Sequence, residues 1–131
     1  MSHFGKRSLK NLSEAHDDLQ RLFKEVVANY DCSVIEGRRG QEEQDTLYHA
    51  KKSKLRYPQS KHNTSPSLAV DVIPYPVDWN DKIRFYHFVG YVKGVADKLG
   101  IKIRCGADWD GDNTFKDQTF HDLPHFELII D

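Results

Sequence analysis

Leu68-Ala69-Val70-Asp71-Val72-Ile73, closed by Pro74, is the stretch on which the reading of this chain turns. Leu68, Val70 and Val72 share one face of a strand, and Ala69, Asp71 and Ile73 share the other. A carboxylate in mid-strand is costly to bury unless something charged meets it. Taken alone, the exposed face of an edge strand would explain Asp71 equally well. Upstream lies Ser60-Lys61-His62, and near the C-terminus lies Asp122-Leu123-Pro124-His125-Phe126-Glu127. Two imidazoles and a carboxylate can hold one metal ion with a coordination position left open, the arrangement of a catalytic zinc site and not of a closed structural one. That combination points to metal-assisted hydrolysis.

His125 opens a second strand, in which His125, Glu127 and Ile129 fall on one face and Phe126, Leu128 and Ile130 on the other. Asp122 is at an odd offset from His125, so alternation cannot place the two together. Pro124 implies a turn instead, and a turn can fold the Asp122 carboxylate back over an ion held by His125, where it could act as a general base. An Asx-type cap of that turn is the other reading of Asp122. Glu127 is either a hydrogen-bond acceptor behind the ligands, a substrate contact or a surface glutamate. Arg39 follows a strand and a glycine, where a guanidinium can reach into a cleft and stabilise an oxyanion, though an ordinary surface arginine is as well described by the sequence. Ser60 can hydrogen-bond beside His62.

Outward from these motifs, Leu19, Leu22, Phe23, Val26 and Val27 make one apolar helical stripe, with Ser13 as its N-cap. Residues 33–36 read as a strand stopped by Gly37, and residues 41 to about 52 as a more polar helix that buries Leu47 and Tyr48. Residues 53–67 read as loop. Asn80 is expected to cap a helix over 81–99, striped by Phe85, Phe88, Val92, Val95, Ala96 and Leu99 and stopped by Gly100. Short strands are expected over 101–104 and 126–130. Helices and strands do not alternate as βαβ units, so the expected fold is α+β, with helices packed on a small, largely antiparallel sheet and the metal site at the sheet surface. Asp108-Trp109-Asp110-Gly111-Asp112-Asn113 sets oxygen ligands at alternate positions, as calcium loops do, but lacks the glycine position and final glutamate of an EF-hand. A solvated acidic loop over 106–119 that walls the cleft is expected, with Trp109 offering a flat surface to substrate. His121 stands near enough to serve as a further ligand or proton partner.

The 131 residues suit one domain, and the net charge of -1 with 30% charged residues gives no basic stripe for nucleic acid. The one basic run, residues 51–56, reads as a solvated helix end or as a patch for an anionic polymer. Cys32 and Cys105 form no C-x-x-C pair and are expected to be free thiols. No secretory signal or membrane span is expected, which places the protein in the cytoplasm of the cell that makes it.

Ile35-Glu36-Gly37-Arg38-Arg39, Gln41-Glu42-Glu43-Gln44, Ser60-Lys61-His62, Ala69-Val70-Asp71, Gly106-Ala107-Asp108-Trp109 and His125-Phe126-Glu127-Leu128, in that order, resemble the zinc D-Ala-D-Ala carboxypeptidase-like peptidases. Within that family the chain looks like the phage L-alanyl-D-glutamate endolysins. The resemblance implies one Zn2+ held by His62, Asp71 and His125, Asp122 as catalytic base and Arg39 as transition-state stabiliser. Ser60, Glu127 and Trp109 would contact substrate or support the ligands. It implies a monomeric single domain, residues 1–131, that cuts a stem-peptide bond of bacterial peptidoglycan, the anionic polymer that residues 51–56 would meet. The wall would be reached on host lysis. A D-alanyl-D-alanine carboxypeptidase or dipeptidase is the close alternative, and a non-catalytic wall-binding module or a virion-borne wall-piercing component are the others. His62 and Asp71 are nine positions apart, more than in many members, with the extra residues in the 63–68 loop.

Overall fold

The five apolar residues of the first stripe, Leu19, Leu22, Phe23, Val26 and Val27, are all buried along one side of helix α2 (Asp17–Asn29) in the computed structural model, which describes residues 2–114 and 122–130. A second helix, α4 (Lys82–Leu99), packs against α2 and buries Phe85, Phe88, Val89, Val92 and Ala96. Val95 and Leu99 of the expected stripe are only partly buried. Gly100, at φ 72, caps α4 in the left-handed region that glycine tolerates best.

Both helices cover one face of a four-stranded antiparallel sheet of order β1-β2-β4-β3. Its strands are β1 (Cys32–Glu36), β2 (Ala69–Pro74), β3 (Ile103–Cys105) and β4 (His125–Leu128). Phe126 anchors this face: its ring meets Phe23 at 5.3 Å and Phe88 at 6.1 Å, both edge-on. Truncating such a ring costs about 3–5 kcal/mol, so the sheet is held to the helices largely here. Alternation then sends Asp71, His125 and Glu127 to the opposite face. The fold is α+β, as expected, with the cluster at the sheet surface.

Several local expectations are corrected. Residues 6–13 form a helix the apolar pattern did not show, α1 (Lys6–Ser13). Its work is polar: Ser8 Oγ accepts from Val34 N at 3.0 Å, and Asn11 Nδ2 donates to Val34 O at 2.8 Å, which satisfies the outer edge of β1. Ser13 therefore ends α1; the cap of α2 is His16, whose Nδ1 accepts from Asp18 N. The cap of α4 is Asp81, one residue after Asn80. Helix α3 (Gln41–His49) buries Gln44; Leu47 and Tyr48 are only half-buried. The long loop contains a single 3-10 turn, Lys61–Asn63. Leu68 N bonds back to Lys61 O at 3.0 Å, which closes the 63–68 loop just before β2 and leaves residues 64–66 exposed. Cys32 and Cys105 are free, and burial pushes both thiols up to about 12. No helix among the described residues is long and apolar enough to cross a membrane.

Candidate metal centre

Strand register brings the first two side chains together: Asp71 of β2 lies directly opposite His125 of β4. His62 arrives from the 3-10 turn, which Ser60 caps by accepting from His62 N at 3.2 Å while Asn63 Oδ1 accepts from Ser60 N. Ser60 thus sets the turn that aims His62. Asp71 Oδ1 stands 3.2 Å from His62 Nε2 and 3.4 Å from His125 Nδ1, and the three atoms lie within 4.8 Å of one another. Close as they are, His62 Nε2 and Asp71 Oδ1 are buried and make no hydrogen bond of acceptable geometry. Two buried acceptor atoms left without donors, converging with a third atom, His125 Nδ1, fit a bound cation better than they fit each other. Imidazole nitrogen and carboxylate oxygen are the donor types that zinc takes in open sites.

The groups behind these ligands point the same way. His62 Nδ1 lies 2.9 Å from the Gly37 carbonyl, which can only accept; Nδ1 therefore carries the proton and Nε2 offers its lone pair to the site. Gly37 is pressed so close to Asn11 O that a Cβ would lie 2.1 Å from it. His125 Nε2 meets Glu127 Oε1 at 2.8 Å, leaving Nδ1 for the site. Glu127 is buried, not the surface glutamate the sequence also allowed, and its Oε2 receives Arg104 and Lys61.

Asp122 and His125 are joined by the expected turn: Asp122 N donates to Gly106 O and His125 N to Asp122 O. Asp122 Oδ2 comes within 3.9 Å of His125 Nδ1, and its side chain is 38% exposed to the cleft. Burial first, and then the Asp71 charge, raise the Asp122 carboxyl above the usual carboxylate range. Arg39 is buried, not a surface arginine. Its Nη1 donates to Gln44 Oε1 at 2.9 Å, Nη2 is 3.9 Å from Asp71 Oδ2, and Nε has no hydrogen bond.

Sequence reading missed Gln44, Asn63 and Glu36. Gln44 ties Arg39 and Asn63 to the Leu55 carbonyl. Glu36 reaches the cleft because a bulge between Val34 and Glu36 pairs it with Asp71, where plain alternation would have turned it away. Trp109 tilts over His125 at 5.3 Å between ring centres. The loop carrying it is not uniformly solvated: Asp108 is fully buried and paired with Lys93 Nζ at 2.8 Å, while Asp110 and Asp112 are exposed. The cation on Asp108 is thus a lysine of α4. His121, the other histidine considered, lies outside the described residues, as do residues 115–119 of the loop. Glu36, Arg39, His62, Asp71, Trp109, Asp122, His125 and Glu127 line one cleft of about 480 Å³.

The charge pattern has a measurable signature in metal-free protein. Burial would raise Glu127, but hydrogen bonds from His125 and Arg104 hold it down to about 2 from 4.5. Its folded value lies below its unfolded one, so that stabilisation is whole above pH 4.5 and is lost as pH falls toward 2. Burial would lower His125, but the neighbouring Asp71 and Glu127 carboxylates raise it to about 9 from 6.5. This contribution is whole below pH 6.5 and is lost as pH rises through 9. Metal-free protein should therefore melt highest between pH 4.5 and 6.5 and lower on both sides. A Tm that stays level from about pH 3 to 9.5 would contradict this arrangement.

Comparison with known proteins gives the family. The family model described as phage L-alanyl-D-glutamate peptidase matches residues 1–129. The L-alanyl-D-glutamate peptidase of Escherichia phage T5 is 31% identical over 135 aligned positions, covering 96% of this chain and 97% of that protein. The crystal structure of the Serratia marcescens L-Ala D-Glu endopeptidase ChiX superposes with a TM-score of 0.75 at 26% identity, over 98% of this chain and 91% of that one. With nearly every residue inside the match, the chain belongs to the phage L-alanyl-D-glutamate peptidase family.

Proposed function

We propose that this protein is a zinc peptidase that hydrolyses the L-alanyl–D-glutamyl bond of peptidoglycan stem peptides and serves as an endolysin. It would be made in the host cytoplasm and reach the wall on lysis. The observation that carries the reading is the convergence of His62 Nε2, Asp71 Oδ1 and His125 Nδ1, two of them buried without a hydrogen-bond partner. His62, Asp71 and His125 would hold the ion, and when bound it supplies Lewis acidity to the substrate carbonyl and to a water molecule. The protein does the rest. Asp122, at the cleft edge, takes the proton of the attacking water and passes it to the leaving amide nitrogen. A carboxyl with a raised pKa is suited to both halves of that transfer. Arg39, held by Gln44, keeps a buried guanidinium facing the carbonyl oxygen as it gains charge. Glu127 fixes His125, and Trp109 closes one wall against water.

Zinc-loaded protein incubated with purified peptidoglycan should release fragments with new D-glutamyl amino termini, read by mass spectrometry. Released D-alanine would support the carboxypeptidase alternative, and binding without new termini would support a wall-binding module.

A further inference from the structure

The proposed reaction gives no substrate contact to Arg104 and Lys61, two of the cations that line the cleft. Arg104, on β3, is 45% exposed and lines the cleft beside Trp109. Its Nε and Nη2 both donate to Glu127 Oε2, at 3.2 and 2.8 Å. Lys61 Nζ approaches the same oxygen at 3.1 Å and also donates to Leu128 O. Glu127 Oε1 is already taken by His125. One carboxylate oxygen thus faces two cations, Arg104 and Lys61. Arg104 Nη1 makes no hydrogen bond to any described residue. A guanidinium gripped along one edge is fixed in orientation and presents its other edge to a second planar anion.

The sheet order says which part of the substrate meets that edge. Arg39 follows β1, Asp71 lies on β2, His125 on β4 and Arg104 on β3, so the two arginines stand on opposite walls with the ligands between them. Asp122 is pinned to Gly106, immediately after β3. The group that would protonate the leaving nitrogen therefore belongs to the Arg104 wall, and the leaving half of the substrate lies there. In the bond proposed above, that half begins with a glutamyl residue. Glutamate has two carboxyls; the peptide continues from one, and the other remains a free anion close to the scissile nitrogen.

We propose that Arg104, oriented by Glu127 and assisted by Lys61, recognises the free carboxylate of the glutamyl residue on the leaving side of the scissile bond. The inference rests on the L-alanyl–D-glutamyl reading, and its test separates the two. Two synthetic stem peptides are compared, one with the glutamyl carboxylate free and one with it amidated. Zinc content is measured on every sample. Wild-type protein should favour the free acid, chiefly through KM. Arg104→Gln should raise KM for the free acid by about 10- to 100-fold, the loss expected for a charge-assisted hydrogen bond, with kcat little changed. It should leave the amidated peptide unaffected and zinc content at the wild-type level. Arg104→Lys should recover part of the preference, since it keeps the charge and loses the fork. Equal losses on both peptides, or lowered zinc, would overturn the proposal, because Arg104 would then act only by holding Glu127 against His125. Zinc-loaded wild-type protein that cuts neither peptide would overturn the bond assignment, and the Arg104 role with it.

Discussion

Asp122→Asn is expected to retain its zinc and to lose hydrolysis by about 10²–10⁴-fold, the range that one positioned acid–base group contributes. The substitution keeps size and shape. What places residue 122 is backbone: its N–H bonds Gly106 O, and its carbonyl accepts from His125 N. The turn should therefore survive, and with it the angle at which His125 enters the site. The side chain is also not one of the three atoms that converge, since its nearest approach to His125 is 3.9 Å. An amide there can still hydrogen-bond but cannot take up a proton. The check is kcat on purified peptidoglycan beside zinc content on the same sample. Full activity would remove Asp122 from the reaction and turn attention to Glu36, the other cleft carboxylate raised by burial.

His62→Ala is expected to have the opposite signature, losing the metal first and activity as a consequence. One of three donors disappears, and Asp71 Oδ1 and His125 Nδ1 remain as a pair. The loss of affinity should exceed the roughly 10- to 100-fold that removing a mere supporting partner costs. Dialysed variant should carry almost no zinc. The fold has its own stake, because the ring is buried and its Nδ1–H is the donor to the Gly37 carbonyl. An acceptor left unmet there costs about 1–3 kcal/mol, so a lowered Tm with a retained circular dichroism spectrum is expected. A zinc content equal to that of the parent would take His62 out of the site.

The parts of this molecule governed by apolar periodicity were legible in the amino-acid order. The stripes of α2 and α4 and the alternation of β2 placed Val70 and Val72 against the helices and Asp71 on the open face. Helix α1 was not legible, because Ser8 and Asn11 serve the polar edge of β1 and leave no apolar stripe to read. His16 could not be chosen over Ser13 as a cap, since the choice depends on where α1 ends. The converging residues His62, Asp71 and His125 were named from motif order. Of their supports, Ser60 and Glu127 were named, but Gly37 O and Gln44 were not, because those two acquire their roles only through register and burial. For Arg39 and Glu127 the sequence left a site role and a surface charge both open, and the fold buries them. Glu36 depends on a bulge, and Arg104 depends on β3 standing next to β4, and no spacing rule encodes either.

The most direct test of the whole account is the metal itself. Diffraction from zinc-loaded crystals, with anomalous differences measured on both sides of the zinc edge, should show one ion per chain bonded to His62 Nε2, Asp71 Oδ1 and His125 Nδ1 at about 2.0–2.2 Å. An ion held elsewhere, or no ion between those three side chains at saturating zinc, would contradict it.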